Sequence, residues 1–329
     1  MRERRPRIRS GSSSVKRYAT FLLFFLLTYV LLALVPLLAQ VFNGGSMDFS
    51  VAAGRASEAT GIPWTSSLLN VLALSFREPV LLLSLVGSAV PALAALLILL
   101  WRRRGLATLL RLRPAYGQTV PEAALGYAAA IAALVVCLLL TYALRIALGG
   151  DYESSFNFGV GFLFWVVAMA LVDQGALLEE LGWRGFAQPE LEHQGVSPLS
   201  AAVLVGVAWG LWHLPRDVTT GVIDRLGVVV YCFEFLPAFV LGTVAVSVLC
   251  AYFMNRMGGS LIPAILIHGL TNDAIGISGA ATIDEALTPF HQITKAMPFA
   301  ALAVLVVAVH GAELGAEQPS TGSAGAESG

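Results

Sequence analysis

The sequence predicts an all-α, polytopic integral membrane protein with about eight transmembrane helices. Its composition is 57% hydrophobic and only 12% charged, whereas soluble domains are usually about 25% charged. A helix that crosses a bilayer needs about 20 apolar residues, so a chain of 329 residues has room for about eight crossings and little else. The basic residues are clustered: seven of the twenty Lys and Arg lie in residues 1–17 and five more between Arg102 and Arg113. The positive-inside rule assigns both clusters to the cytoplasm.

The first half of the chain supplies three predicted spans. Residues 1–17 are too basic and polar to bury a core and are expected to form a flexible cytoplasmic tail. A polar loop separates the first two spans, and three consecutive arginines end the second. The predicted spans are Tyr18 to Phe42, Pro79 to Trp101 and Ala123 to Leu148.

The second half supplies five more, which completes a membrane domain over residues 18–310 with both termini in the cytoplasm. Pro215 is expected to end the fifth span, and a loop with Asp284, Glu285 and Lys295 to precede the eighth. The Gly/Ser/Glu-rich tail, residues 311–329, is expected to be disordered. The predicted spans start at Phe158 (the fourth), then run over Ser197 to Leu214, Val228 to Phe253, Gly258 to about Gly279, and Pro298 to His310.

The fourth span carries the most informative stretch, Leu-Leu-Glu-Glu-Leu-Gly-Trp-Arg-Gly, residues 177–185. A charge within the bilayer costs at least about 2.5 kcal/mol on insertion scales and indicates function. Glu180 and Arg184 are four residues apart, which predicts an ion pair on one helix face. Glu179 points about 100° away and needs another partner. Two further intramembrane acids are expected to be structural: Asp173 extends the polar cavity and Glu234 pairs helices.

Two histidines and an asparagine are predicted to lie at the depth of Glu179. If the fourth helix continues to about Gln194, Glu179 and His213 both lie roughly 23 Å from the turn between the fourth and fifth spans, at 1.5 Å per residue. His268, with Asn272 one turn further on the same face, can reach this layer from the seventh span. If the helix instead stops near Gly185, with Pro189 making a break possible, the alignment fails.

This set of side chains indicates hydrolysis of an acyl bond, most plausibly a peptide bond. A carboxylate in apolar surroundings can take a proton from water, and an imidazole can pass it to a leaving amine. A second imidazole and an amide can donate hydrogen bonds to an oxyanion. His, His and Glu plus water is also a catalytic zinc set, so the residues leave open a zinc ion held by Glu179, His213 and His268. No HExxH motif favours zinc.

Three motifs together resemble the CAAX prenyl protease type 2 family, part of the wider Abi group of CAAX-processing and bacteriocin-processing intramembrane proteases. The family's Glu-Glu-x-x-x-Arg is matched by Glu179, Glu180 and Arg184, its Phe-x-x-x-His by Trp209 and His213, and its His-x-x-x-Asn/Asp by His268 and Asn272. Their order and their helices agree, so the resemblance covers a protease core over residues 158–279. Trp209 departs from the usual Phe, which keeps an aromatic wall but changes the pocket.

The resemblance implies that Glu179 and His213 activate water and that His268 and Asn272 stabilise the oxyanion. It implies structural or substrate-orienting roles for Glu180 and Arg184, and a cavity open to the cytoplasm. The expected partners are the lipid bilayer and a peptide or membrane-protein substrate, prenylated or not, and no nucleic acid is expected.

Two other kinds of function remain open from the sequence. One is a catalytically idle immunity or scaffold protein of the same fold, in which the charged groups only tie helices together. The other is a proton-coupled transporter with an acidic relay, although no repeated halves with matching broken helices are evident. The remaining histidines, His193, His291 and His310, fall at helix ends or in loops and are expected to be solvated.

Overall fold

A computed structural model describes residues 14–43, 49–62, 66–106, 109–113, 117–150, 167–168, 170–219, 221–273 and 287–316. Several predictions fall outside these residues. They are the basic tail up to residue 13, the start of the fourth span, the end of the seventh span, the acids Asp284 and Glu285, and the tail from residue 317.

The described residues are helical almost throughout. Among the described residues of the second half are two π-helical turns, Trp183–Ala187 and Tyr231–Phe235, each continuous with helix on both sides. The helices are α1 (Ser14–Asn43), α2 (Phe49–Thr60), α3 (Leu68–Ser75), α4 (Leu82–Trp101), α5 (Val120–Ala147), α6 (Gln174–Gly182), α7 (Gln188–His193), α8 (Pro198–Trp212), α9 (Leu214–Thr219), α10 (Val222–Leu226), α11 (Val228–Val230), α12 (Leu236–Arg256), α13 (Ile262–Asp273) and α14 (Pro289–His310).

The protein is a multi-pass membrane protein. Within the described ranges, six helical stretches are long and apolar enough to cross a membrane, and α13 supplies a shorter apolar helix over Ile262–Asn272. The predicted fourth span is not among the six, and its first residues, 158–166, lie outside the described part of the chain. The all-helical fold is therefore confirmed, whereas the count of eight stays a prediction. The six stretches are Tyr18–Leu38, Pro79–Trp101, Val120–Ala147, Pro198–Thr219, Val228–Arg256 and Pro289–Glu313.

The last long helix begins earlier than predicted. α14 starts at Pro289 rather than Pro298, because Thr288 caps it: its hydroxyl accepts a hydrogen bond from the His291 N–H at 3.2 Å, and Pro289 occupies the first turn. Pro298 is accommodated inside the helix. This start places Lys295 within the helix rather than in a loop.

Other boundaries also differ from the predictions. α1 begins at Ser14, inside the predicted tail, and the predicted polar loop contains α2 and α3. The chain continues past Pro215 as α9. A 3-10 turn, Gly311–Glu313, begins the predicted disordered tail, and Leu314 beyond it is buried and accepts a hydrogen bond from Asn255.

Close helix packing brings α6, α8 and α13 together. α8 packs along α12, α4 packs along α6, and α13 contacts both α6 and α12. A Cβ atom at Gly182 would lie 2.3 Å from the Pro91 carbonyl carbon of α4, and one at Gly269 would lie 2.1 Å from the Ala170 carbonyl oxygen. A larger residue would clash at either position. Glycine therefore allows α6 to pack closely against α4, and α13 to pack closely against Ala170.

Candidate active site

The acidic helix is uninterrupted across the predicted weak point. Its start is fixed by Asp173, whose side chain accepts a hydrogen bond from the Ala176 N–H at 2.6 Å. Helical backbone then continues through α6, a π-helical turn and α7 to His193. Pro189 directly follows the π-helical turn and lies inside this continuous helix, which accommodates it although the proline has no N–H to donate. The prediction that Glu179 and His213 lie at one depth assumed that this helix continues to about Gln194, and the structure agrees with that assumption. The alternative, a helix that stops near Gly185, is wrong.

Glu180 holds two partners deep in the protein. Its Oε1 accepts hydrogen bonds from Arg184 Nη1 at 2.6 Å and from His268 Nδ1 at 2.9 Å. Glu180 and Arg184 are both 0% exposed, and His268 is 3% exposed. The predicted Glu180–Arg184 ion pair is confirmed. Because a carboxylate oxygen accepts, the hydrogen of His268 is assigned to Nδ1.

Glu179 is held by Trp209 of α8. The indole Nε1–H donates to Glu179 Oε2 at 2.8 Å, and both side chains are buried. The same indole ring lies 4.7 Å from the Arg184 guanidinium and 4.7 Å, edge to face, from His268. Trp209 therefore contacts Glu179 directly and both partners of Glu180, Arg184 and His268. It supplies a hydrogen-bond donor as well as an aromatic surface.

His213 follows α8 directly and is oriented by its own helix. Its Nδ1 lies 2.8 Å from the Trp209 carbonyl oxygen. A carbonyl oxygen can only accept, so Nδ1 carries the hydrogen and Nε2 is left as a proton acceptor. The rings of Trp212 and Phe239 pack against the imidazole, each with centroids 5.1 Å away. Glu179 and His213 share no direct hydrogen bond, and Trp209 contacts both.

Asn272 of α13 meets the start of α6. Its Nδ2 donates to Asp173 Oδ1 at 3.3 Å. A Cβ atom built on Gly175 would lie 3.2 Å from Asp173 Oδ1, 3.3 Å from Glu179 Oε1 and 3.4 Å from Asn272 Nδ2. The missing side chain of Gly175 thus leaves a niche that polar atoms of these three residues border.

These eight residues, Asp173, Glu179, Glu180, Arg184, Trp209, His213, His268 and Asn272, are called the site layer below. The structure brings the predicted residues of three helices together, but with changed partners: His268 pairs with Glu180, and Asn272 with Asp173. Asp173 was singled out only as an extension of the cavity. The indole donor of Trp209 was missed, although a tryptophan where the motif usually has phenylalanine was a signal for it.

Two other acids behave differently from the predictions. Glu234 is exposed, and it forms no ion pair or hydrogen bond with a described residue, so it does not pair helices. Asp217, which the sequence did not single out, is 0% exposed and binds Arg216 at 2.7 Å and the Tyr231 hydroxyl at 2.8 Å. Asp217 is thus fully engaged near His213.

A metal is not favoured by the geometry. Among the described residues, no three His, Cys, Asp or Glu side chains are arranged to hold a metal ion. Glu179, His213 and His268 are all described, and both histidines use Nδ1 for protein hydrogen bonds, which leaves Nε2 of each ring available. The zinc set of these three residues stays a prediction, and no chemical step below is assigned to a metal.

Comparison with known proteins finds a match over the part of the chain that carries the site layer. Residues 158–273 match the family model of the type II CAAX prenyl endopeptidases, Rce1-like. The chain resembles that family over this stretch. It contains all three motifs of the site layer. The chain is also 28% identical over 182 residues to CAAX prenyl protease 2 of Methanococcus maripaludis. That similarity covers 52% of this chain and 60% of the relative, so the chain spans less than two thirds of the curated protein.

Proposed function

We propose that this protein is an intramembrane endopeptidase, in which Glu179 and His213 activate a water molecule that attacks a peptide bond. The observation that supports this most directly is the site layer itself: carboxylates, imidazoles and an amide from α6, α8 and α13 converge in the apolar interior. Such groups in a membrane are costly and indicate function. The match to the Rce1-like family covers the same helices.

The proposed mechanism gives each side chain one task. Glu179, held through Oε2 by Trp209, takes a proton from water with its other oxygen, Oε1, which borders the niche at Gly175. The resulting hydroxide attacks the substrate carbonyl carbon. The proton on Glu179 passes through water to Nε2 of His213, which delivers it to the nitrogen of the leaving amine as the C–N bond breaks. No direct Glu179–His213 contact is required, because water and substrate connect them.

His268 and Asn272 stabilise the oxyanion in this proposal. Each can donate a hydrogen bond, a contribution typically worth a few kcal/mol per donor. The donor at His268 is Nε2 of the protonated ring, a state that Glu180 at Nδ1 favours by its charge. Arg184 neutralises Glu180 and so keeps two adjacent carboxylates from repelling each other. Glu180 and Arg184 are thus positioning residues.

The proposed substrate is a peptide or membrane protein, prenylated or not, that reaches the site within a lipid bilayer. We place both termini in the cytoplasm, because the basic clusters at residues 1–17 and 102–113 then lie on the same side. The cavity opens to that side in the proposal. The idle and transporter functions remain the alternatives that the following experiment tests.

The test is cleavage of a peptide library by the purified protein in detergent. We expect Glu179→Gln and His213→Ala each to lower kcat about 100- to 10,000-fold, as for removal of a general acid or base. Glu58→Gln, at an exposed glutamate of α2, is the matched control and should cleave normally. Unchanged cleavage by Glu179→Gln would refute the site. A wild type that cleaves nothing, with a cellular phenotype that survives Glu179→Ala, would favour the idle protein.

A chelator arm accompanies the same assay. The proposal expects cleavage to persist after chelation, because no protein step is assigned to a metal. Loss of cleavage that added zinc restores would overturn the assignment of water activation to Glu179 and His213 alone.

A further inference from the structure

The turn that ends α4 holds three consecutive arginines, and the mechanism does not use it. We call Arg102, Arg103 and Arg104 the arginine turn. α4 belongs to the candidate membrane span Pro79–Trp101, so the arginine turn comes directly after that span. All three side chains are exposed. A membrane presents the phosphate groups of its lipids at this depth, and anionic lipids attract arginines that lie next to a span.

The backbone of the arginine turn places an arginine where glycine is usual. The Arg104 N–H donates to the Leu99 carbonyl oxygen at 2.9 Å, and the Arg103 N–H donates to the Leu100 carbonyl oxygen at 3.1 Å. These two bonds form a Schellman motif, in which the residue at the position of Arg103 is left-handed and is usually glycine. Arg103 has a φ of 52°, a conformation that is unfavourable for a residue with a side chain. An arginine that is kept in such a conformation indicates a use for its guanidinium.

Arg103 is the member of the arginine turn that binds no acid of the protein. Glu190 binds Arg104 at 2.6 Å and Arg102 at 3.4 Å. Arg103 forms no hydrogen bond or ion pair through its side chain with any residue in the described part of the chain. One carboxylate thus stands against three guanidinium groups, and an arginine keeps its charge at every physiological pH. The guanidinium of Arg103 is therefore available to an external anion.

Exposed apolar side chains next to the arginine turn indicate that this anion is a lipid. Trp101 is 71% exposed and Leu100 is 58% exposed, and Leu106 and Leu110, further along the chain, are exposed as well. Tryptophan at the end of a span typically lies at the level of the lipid headgroups. A phospholipid can place its phosphate at Arg103 and its acyl chains against these apolar residues. A free phosphate ion would match the charge alone.

We infer that the arginine turn binds the phosphate of an anionic phospholipid, with Arg103 as the direct contact. Binding involves no covalent step: the phosphate oxygens accept hydrogen bonds from the guanidinium, whose planar set of donors suits a phosphate. Arg102 and Arg104 remain with Glu190, which lies on the same helical stretch as Glu179. The lipid thus holds the end of α4 at the membrane surface beside that helix. This inference does not depend on the proposed function.

The experiment measures the unfolding temperature of the full-length protein in nanodiscs of phosphatidylcholine, with and without phosphatidylglycerol. We expect phosphatidylglycerol to raise the unfolding temperature of wild type. Arg103→Gly removes the guanidinium and introduces the residue that the turn prefers, so in phosphatidylcholine alone it should unfold at or above the wild-type temperature. Its increase with phosphatidylglycerol should be at most half that of wild type. Arg77→Gln, at an exposed arginine before the opposite end of the same span, is the control and should keep the wild-type increase.

A titration in detergent measures the affinity directly. Phosphatidylglycerol should bind Arg103→Gly about fivefold more weakly than wild type, the factor that corresponds to about 1 kcal/mol for one arginine at an anionic surface. Arg77→Gln should bind it as wild type does.

Several outcomes would overturn the inference. One is a wild type whose unfolding temperature does not change with phosphatidylglycerol, and it stands even if a variant fails to fold. Equal increases in wild type and Arg103→Gly are another. If inorganic phosphate added to phosphatidylcholine nanodiscs reproduced the whole increase, the arginine turn would bind a free anion instead of a lipid. An increase that Arg77→Gln lost to the same extent would assign the effect to the overall charge of the protein.

Discussion

One helical stretch, from Gln174 to His193, carries two glutamates that are neutralised in different ways. Glu180 and its arginine are both 0% exposed. Glu190, on the far side of the π-helical turn, binds Arg104 at 2.6 Å and Arg102 at 3.4 Å, and these two arginines are 41% and 34% exposed. Water can therefore replace a partner of Glu190 but not of Glu180. Because it is fully buried, the Glu180–Arg184 ion pair cannot exchange its partners with water and keeps its arrangement in the site layer.

The largest expected difference is in the stability lost when Glu180 and Glu190 are each replaced by glutamine. Glu180→Gln leaves the Arg184 guanidinium fully buried without a counter-ion, because Arg184 has no other hydrogen-bond acceptor among the described residues. We expect a loss of about 3–5 kcal/mol in the free energy of unfolding. The matched variant Glu190→Gln should lose about 1 kcal/mol or less, since both arginines reach water. Denaturant unfolding in detergent measures both, and equal losses would contradict the comparison.

Variants of two tryptophans of α8 distinguish a residue that positions Glu179 by a hydrogen bond from one that only packs. Trp209→Phe keeps the ring that the related motif has but removes the N–H bound to Glu179. A hydrogen bond to a charged group is worth about 1.5–3 kcal/mol, so kcat should fall about 10- to 100-fold with KM little changed. Trp212→Phe is the control, because Trp212 Nε1 is buried without a partner. A fall in kcat as large for Trp212→Phe would show that packing, not the N–H, matters.

The niche at Gly175 offers a smaller effect within the site layer. In Gly175→Ala the added methyl would lie 3.2–3.4 Å from the surrounding polar atoms. We expect about a tenfold loss of kcat/KM, because the methyl would fill the space beside Glu179 Oε1 in which the proposed mechanism needs a water molecule. The control Gly242→Ala meets no atom closer than 3.8 Å. Cleavage rates of the two variants in parallel decide the point, and full activity of Gly175→Ala would remove the niche from the mechanism.

The smallest expected effect concerns salt at the Glu190 cluster. Arg104→Gln should cost about 0–1 kcal/mol, and raising the salt concentration should narrow its difference from wild type, since half-exposed pairs are screened. The stability loss of Glu180→Gln should not depend on salt in this way. Unfolding curves at low and high salt measure both losses. A salt-independent loss in Arg104→Gln would show that the Arg104–Glu190 pair is as well shielded from solvent as the Glu180–Arg184 pair.

Local rules predicted much of this site, and contacts between helices account for what they missed. The Glu180–Arg184 pair follows from spacing on one helix, and the common depth of the motifs follows from rise per residue. Spacing could not show that His268 bonds to Glu180 rather than Glu179, because that choice depends on how α13 is rotated against α6. The donor of Trp209 depends in the same way on the rotation of α8.

The end of α5 and the start of α14 were the least predictable region. The sequence placed Lys295 in a loop because Pro298 looked like a helix start, whereas the Thr288 cap and Pro289 begin the helix earlier. Hydropathy alone does not register such a cap, because Thr and Pro contribute little to an apolar run. The burial of His291 followed from that shift and could not be expected without it.

The π-helical turn between Gly182 and Gln188 determines in which direction around the helix axis the side chains after it point. Such a turn holds one more residue than an α-helical turn, so the residues beyond it are rotated by about 100° relative to an uninterrupted α-helix. Glu179 and Glu180 precede this phase shift and Glu190 follows it. The extra residue thus lets a single helix direct acids toward two different neighbours, the helices of the site layer on one side and the arginines after α4 on the other.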